Sequence, residues 1–167
     1  MKQALVHAVY RSIIKPVCFQ FEAERVHEFF LRFGECLGKH PLMRSLAASF
    51  CAYKDVSLEQ TLHKIPFSNP VGLAAGFDYK ASLTEILSAL GFGFQTVGTI
   101  TNGAYEGNEP PRLDRLKRSR SLLVNKGFKN PGIDVILQKL ATKKFFAPVG
   151  LSIGMTNGRF FGSVSEA

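Results

Sequence analysis

The stretch NPVGLAAGFD at residues 69–78, read together with GFGFQTVGTIT at 91–101, decides the fold. Each is a short apolar run bounded by glycine, and neither alternates polar with apolar residues. Such runs fit strands buried on both faces, as in a parallel sheet flanked by helices. The pattern predicts strands over 70–76 and 92–99, with a helix over about 81–90 between them. Further along, 147–153 predicts a third strand, preceded by a helix over about 132–140. Strand, helix, strand, long loop, helix, strand is the order of a parallel α/β architecture.

Residues 1–64 have a different texture. Leu5, Ala8, Val9, Ile13 and Val17 recur at three-and-four spacing, with Lys2, Arg11 and Lys15 elsewhere on the wheel. A second segment, about 23–37, places Val26, Phe29, Phe30, Phe33 and Leu37 on one face. Gly38 and the Lys39-His40-Pro41 stretch read as its stop. A shorter third helix is expected near 43–52. Taken alone, these segments are compatible with the core helices of a small bundle.

The 167 residues suffice for one ordinary domain, and the 46% hydrophobic content excludes wholesale disorder. Lys plus Arg number 21 against 13 Asp plus Glu, a formal charge of +8, which favours anionic partners: nucleic acid, a phosphorylated cofactor, an acidic small molecule or an anionic membrane face. Residues 112–144 hold 10 of those 21 cations and 2 of the 13 acids. Within that run Lys139, Lys143 and Lys144 read as a solvated face. Cys18, Cys36 and Cys51 are widely spaced without a CxxC, so neither a disulfide framework nor a zinc site is indicated, and a reducing compartment is expected. Lys2, His7, Arg11 and Lys15 interrupt any signal-peptide core. The longest uncharged run, 86–105, carries Gly91, Gly93, Gly98 and Gly103, which fits a helix end, a buried strand and a loop better than a membrane span. GxGxxG, Walker A, HExxH and GxSxG motifs are absent, so classical dinucleotide binding, P-loop chemistry and metalloprotease chemistry lack support.

Three segments carry chemistry. The small side chains that close the first predicted strand, through Ala75 and Gly76 to Asp78, let a flat ring system approach the backbone. Gly98-Thr99-Ile100-Thr101 closes the next strand, and ligand sites of parallel α/β folds lie at such carboxyl ends. Asn125-Lys126-Gly127-Phe128-Lys129-Asn130 adds amide and ammonium donors suited to a planar carboxylate or carbonyl substrate.

Together with EGNEPPRLDRL, NKGFKNPG and GLSIG, in that order and spacing, these segments resemble the dihydroorotate dehydrogenase family, specifically its membrane-associated, quinone-using class. The resemblance covers about residues 20–158. It implies the N-terminal portion of a TIM (β/α)8 barrel preceded by an N-terminal helical extension. Residues 1–64 would be the quinone- and membrane-associated extension, and 65–167 a partial FMN-binding barrel with its first three strands. The implied chemistry is oxidation of dihydroorotate to orotate through FMN, with a quinone as acceptor. By the same resemblance Ala75, Gly76, Asp78, Tyr79, Thr99 and Ser152 face the cofactor. Lys80, Asn125, Lys126, Gly127 and Phe128 face the substrate, and His27, Arg112 and Arg115 form the quinone side. The implied setting is peripheral, on the cytoplasmic face of a bacterial inner membrane, with no nucleic acid partner. The amphipathic N-terminal helices then read as a lid and not as a bundle.

The sequence departs from the family pattern at several of these positions. Tyr79 stands where the family has a lysine, with Lys80 one place later; Val124 stands where it has a substrate asparagine, and Ser152 where it has a flavin-contacting asparagine. Met155-Thr156-Asn157 replaces a lysine-asparagine-lysine stretch, and the tail from Arg159 to Ala167 shows no closing element. A full barrel needs about 250 residues. The chain therefore reads as truncated, with its catalytic serine beyond residue 167, no catalytic residue within it, and no turnover expected of it alone. A rival reading is a non-catalytic basic module, built on a partial barrel, that binds a membrane surface or nucleic acid.

Overall fold

Pro16 shapes the first element. In the computed structural model, which describes residues 2–156, helix α1 (Lys2–Val9) runs into a π turn at Tyr10–Ile14 and resumes as α2 (Lys15–Cys18). Proline has no amide to offer the carbonyl of Ser12, and its ring crowds that carbonyl. The wider turn, closed by the Lys15 amide on the Tyr10 carbonyl, relieves both. No side chain over residues 4–17 is buried. Helix α3 (Ala23–Lys39), by contrast, buries Ala23, Leu31, Gly34 and Gly38. A Cβ on Gly34 would run into Leu83, and one on Gly38 would lie 3.2 Å from the Glu85 Cβ, so these glycines permit close packing. His40 ends α3 and starts α4 (Pro41–Cys51), because a proline at the first helical position holds its predecessor extended. The break falls within the Gly38 to Pro41 stretch where the sequence predicts a stop.

After a 3₁₀ turn at Val56–Leu58, β1 (Gln60–Leu62) and β2 (Ile65–Phe67) form a short antiparallel hairpin that the sequence pattern does not announce. The three expected parallel strands follow: β3 (Gly72–Leu73), β4 (Phe94–Ile100) and the strand Val149–Ile153. Between the last two lie a second hairpin, β5 (Leu113–Leu116) with β6 (Ser121–Val124), and helix α5 (Ile133–Ala141). Numbering Val149–Ile153 as β7, the parallel sheet has the order β3-β4-β7. The first of these strands is shorter than expected. Asn69 Oδ1 captures the Val71 amide before the ladder begins, and Gly76 turns the chain at φ +101° after it.

The helix expected over 81–90 is instead a chain of turns. The Asp78 carboxylate takes the Ser82 and Leu83 amides at 2.7 and 2.8 Å, and Ala81 has φ +52°. Later bonds shift between reaches, from Leu87 to the Leu83 carbonyl and from Leu90 to that of Leu87. The turns still bury Leu83, Ile86 and Leu87 against Leu31 of α3. A second cluster, Ala81, Val97, Ile100 and Ile136, joins the sheet to α5.

Lys139 and Lys143 do not belong to a solvated face. Lys139 lies 3.0 Å from Glu35, and Lys143 lies 3.5 Å from Glu35 and 3.1 Å from Glu85, tying α5 to α3 and the turns; Lys144 is exposed. Asn157 and the tail from Arg159 to Ala167 lie outside the described residues.

Candidate functional site

The tips of β3 and β4 are joined by their backbones. The Gly76 amide donates to the Gly98 carbonyl at 2.6 Å, and the Gly98 amide to the Asp78 carbonyl at 3.3 Å. Ala75 and Gly76 are exposed, and a Cβ on Gly76 would meet nothing within 4 Å. A small-residue surface therefore faces open space where the sequence predicts a seat for a planar ring. Beside it the Thr99 and Ser152 hydroxyls, on neighbouring strands, lie 2.9 Å apart. A Cβ on Gly154 would touch both Thr99 and the Phe128 ring, so the 125–130 loop reaches these same tips. Asp78 points the other way. Its carboxylate is buried on the Ser82 and Leu83 amides and Gln95, and that burial pushes its pKa up.

A second group forms where α3 crosses the loops. Glu24, His27 and Glu28 share one face of α3 by their spacing. Glu24 pairs with Arg112 and with Lys129, both at 3.1 Å. Glu28 pairs with Lys80 at 3.0 Å and accepts the Tyr79 hydroxyl. Burial pushes the Glu28 carboxyl up, but the Tyr79 and Lys80 hydrogen bonds and the Lys80 and Lys129 charges outweigh it, bringing it down to about 2. Burial likewise opposes, and the Lys129 and Arg112 bonds overcome it, to hold Glu24 below the usual carboxylate range. Burial and the bond to Glu28 push the Tyr79 hydroxyl well above its ordinary value.

His27 is the centre of this group. Its Nε2 lies 2.7 Å from the Phe77 carbonyl and its Nδ1 3.2 Å from the Lys126 ammonium. A carbonyl only accepts and an ammonium only donates, so these partners select the neutral ring with its proton on Nε2. Burial and the Lys126 charge depress the His27 pKa, which agrees. Lys126 is itself buried, with its Nζ 4.1 Å from the centre of the Tyr79 ring; burial, reinforced by Lys129 and Lys80, lowers it to about 8. His27 thus links the loop after β3 to the 125–130 loop.

The remaining predicted residues are spread along these loops. Asn125 accepts from Asn108 at 2.9 Å, and Gly127 turns at φ +65°. Arg112 also donates to the Glu106 carbonyl at 2.6 Å. Arg115 stands apart from the His27 cluster: it donates to the Phe21 carbonyl at 2.7 Å and lies over the Phe19 ring at 4.8 Å, just beyond α2. Two open clefts run along α3. One of about 360 Å³ is lined by Glu28, Tyr79, Lys80, Tyr105 and Lys129, and one of about 550 Å³ by Glu24, Arg25, Phe29, Arg32 and Arg112.

Sequence reasoning missed Glu24 and Glu28, and read Asn130 only among the donors suited to a substrate. Asn130 is buried and makes four bonds: it accepts the Thr101 and Gly132 amides and donates to the Thr101 hydroxyl and the Phe128 carbonyl. It fixes the 125–130 loop to the end of β4. The glutamates had a signal. A run of 10 cations with 2 acids needs counter-charges from elsewhere, and α3 supplies them.

With this geometry in hand, comparison with known proteins is specific. Residues 57–159 match the family model described as dihydroorotate dehydrogenase. The chain is 40% identical over 136 residues to the dihydroorotate dehydrogenase (quinone) of Christiangramia forsetii, covering 81% of this chain and 40% of that protein. It is 39% identical over 143 residues to the enzyme of the same name from Natronomonas pharaonis, covering 86% and 41% respectively. Among solved structures, DHODH from Eimeria tenella in complex with ferulenol superposes with a TM-score of 0.54 at 32% identity, over 71% of this chain and 35% of that one. The chain thus spans about 40% of the length of the curated relatives it matches. Its fold is the N-terminal portion of a TIM barrel with a helical part before it, as the family resemblance implies.

Proposed function

We propose that this chain, which belongs to the dihydroorotate dehydrogenase family, carries the flavin seat and the quinone-side helices of an enzyme that oxidises dihydroorotate to orotate with a quinone as acceptor. One observation carries the reading: a left-handed glycine, Gly76, faces open space at the carboxyl end of a parallel sheet, hydrogen-bonded to the next strand tip. A flat ring fits such a surface because no side chain stands before the backbone. FMN, when bound, supplies the acceptor for a hydride and the donor of electrons to the quinone.

The residues divide by role around that seat. Ala75 and Gly76 offer the backbone floor, and the Thr99 and Ser152 hydroxyls are donors at its edge. Asp78 and Gln95 hold the loop from beneath, and Tyr79, braced by Glu28, holds it against α3. Lys80, Asn125, Lys126, Gly127 and Phe128 form the substrate side, where ammonium and amide groups orient an anionic substrate. His27, Arg112 and Arg115 form the quinone side, with His27 keeping its proton on Nε2 against the Phe77 carbonyl. Residues 1–64 form the quinone- and membrane-associated part, residues 65–167 the barrel part. The setting we assign is peripheral, on the cytoplasmic face of the inner membrane. No described helix is long and apolar enough to cross a membrane.

Adding FMN to the purified chain and following flavin fluorescence tests the seat. Saturable quenching is expected, weakened in Thr99→Val and abolished in Gly76→Val, whose side chain would occupy the open space. Unchanged flavin fluorescence, or equal quenching by a folded Gly76→Val chain, overturns the reading.

A further inference from the structure

The hairpin β5–β6 stands out once the site has absorbed its neighbours. Its turn carries Lys117, Arg118 and Arg120, all exposed and, among the described residues, in no ion pair. No acid occurs between Asp114 and Asp134, so nothing in the flanking sequence neutralises them. The turn is locally fixed, with the Ser119 and Ser121 hydroxyls 2.7 Å apart and Arg120 at φ +54°. Below it Leu116, Leu122, Leu123 and Val124 are 44%, 61%, 54% and 60% exposed. A cationic tip on apolar flanks matches the interface of an anionic bilayer, where headgroups meet the cations and the flanks meet acyl chains.

The hairpin is also continuous with the first helix. Arg115, one residue before the end of β5, lies over the Phe19 ring and donates to the Phe21 carbonyl. Lys15 approaches the same ring at 5.3 Å. Strand β5 therefore reaches, through Arg115, the end of a helix whose Leu5, Ile13 and Val17 are 59%, 60% and 50% exposed.

From this we infer that the β5–β6 turn is a second membrane contact, which docks Lys117, Arg118 and Arg120 onto anionic lipid headgroups alongside the first helix. The inference rests on the peripheral membrane reading above. Nucleic acid fits the tip less well, because residues 113–124 contain no aromatic side chain on which a base stacks.

Co-sedimentation of the full chain with phosphatidylcholine vesicles, with and without about one-third phosphatidylglycerol, tests it. The triple variant K117Q/R118Q/R120Q is expected to bind the anionic vesicles roughly 100-fold more weakly. The charge-retaining variant K117R/R118K/R120K is expected to bind like the parent, which separates lost charge from lost folding. Should the parent bind anionic vesicles and the triple variant bind them equally, the hairpin contact is overturned while peripheral association stands. A parent that sediments with neither vesicle overturns the membrane reading itself, and the hairpin contact with it. Tighter binding of the parent to duplex DNA than to anionic vesicles, lost in the triple variant, overturns the lipid assignment.

Discussion

The first helix and α3 are both amphipathic, and the same three-and-four spacing reveals both. Their fates differ. Along residues 4–17 no side chain is buried, whereas α3 buries Leu31, Gly34 and Gly38 and anchors Glu24, Glu28 and Glu35 to loop and helix cations. Periodicity reports which residues share a face. What that face meets depends on its texture. Glycines permit close approach, and carboxylates on a neighbouring stripe find the ammonium groups of the barrel loops. The first helix offers branched apolar groups and cations, which suit a lipid boundary better than a protein core.

The sharpest way to break this contrast is to hollow out the α3 contact. Leu31→Ala should cost about 2–5 kcal/mol of stability, read from urea unfolding, because Leu31 is 1% exposed in the cluster beneath α3. Next in size, Glu24→Gln leaves Arg112 and Lys129 without their carboxylate at side-chain exposures of 18% and 15%. A loss of about 1–3 kcal/mol is expected, smaller at high salt.

The pH response sharpens the same contrast. His27 has a folded pKa below its ordinary 6.5, so the unfolded chain binds the extra proton more readily and stability falls as pH drops through that value. His27→Gln should flatten the fall between pH 7.5 and 5.5, roughly the window in which an unshifted imidazole titrates. Lys126, lowered to about 8 from 10.5, is likewise held against its preferred protonation. Between those values the unfolded state holds the proton that the folded state has released, so stability should rise with pH relative to Lys126→Met. A variant that tracks the parent across either window would contradict the assigned partners. The smallest effect belongs to the first helix. Ile13→Ala, at 60% exposure, should change unfolding stability by less than about 0.5 kcal/mol; a larger loss would mean that this helix is packed after all.

The parallel strands were legible because glycine-bounded apolar runs such as 92–99 have few other uses in a soluble fold. Both hairpins were not. The β5–β6 turn is Lys117-Arg118-Ser119-Arg120, without the Asn-Gly or Asp-Gly pair that marks a tight connection. Over 81–90 the helix failed through local competition. Asp78, four and five positions upstream, takes the amides of Ser82 and Leu83, and Ala81 between them is left-handed. At the site, the open face of Gly76 followed from small residues at a strand end. The carboxylates of Glu24 and Glu28 did not, because their partners lie 51 to 105 positions away in the chain.

The π turn forced by Pro16 has a geometric effect on the helix that carries it. Such a turn holds one residue more than an ordinary helical turn, and each residue of a helix advances it by about 100°. Leu5 and Val9 on one side of Tyr10–Ile14 are therefore out of phase with Val17 on the other, compared with an uninterrupted rod. The apolar stripe is stepped, so the two halves of this short rod present their greasy edges at different azimuths.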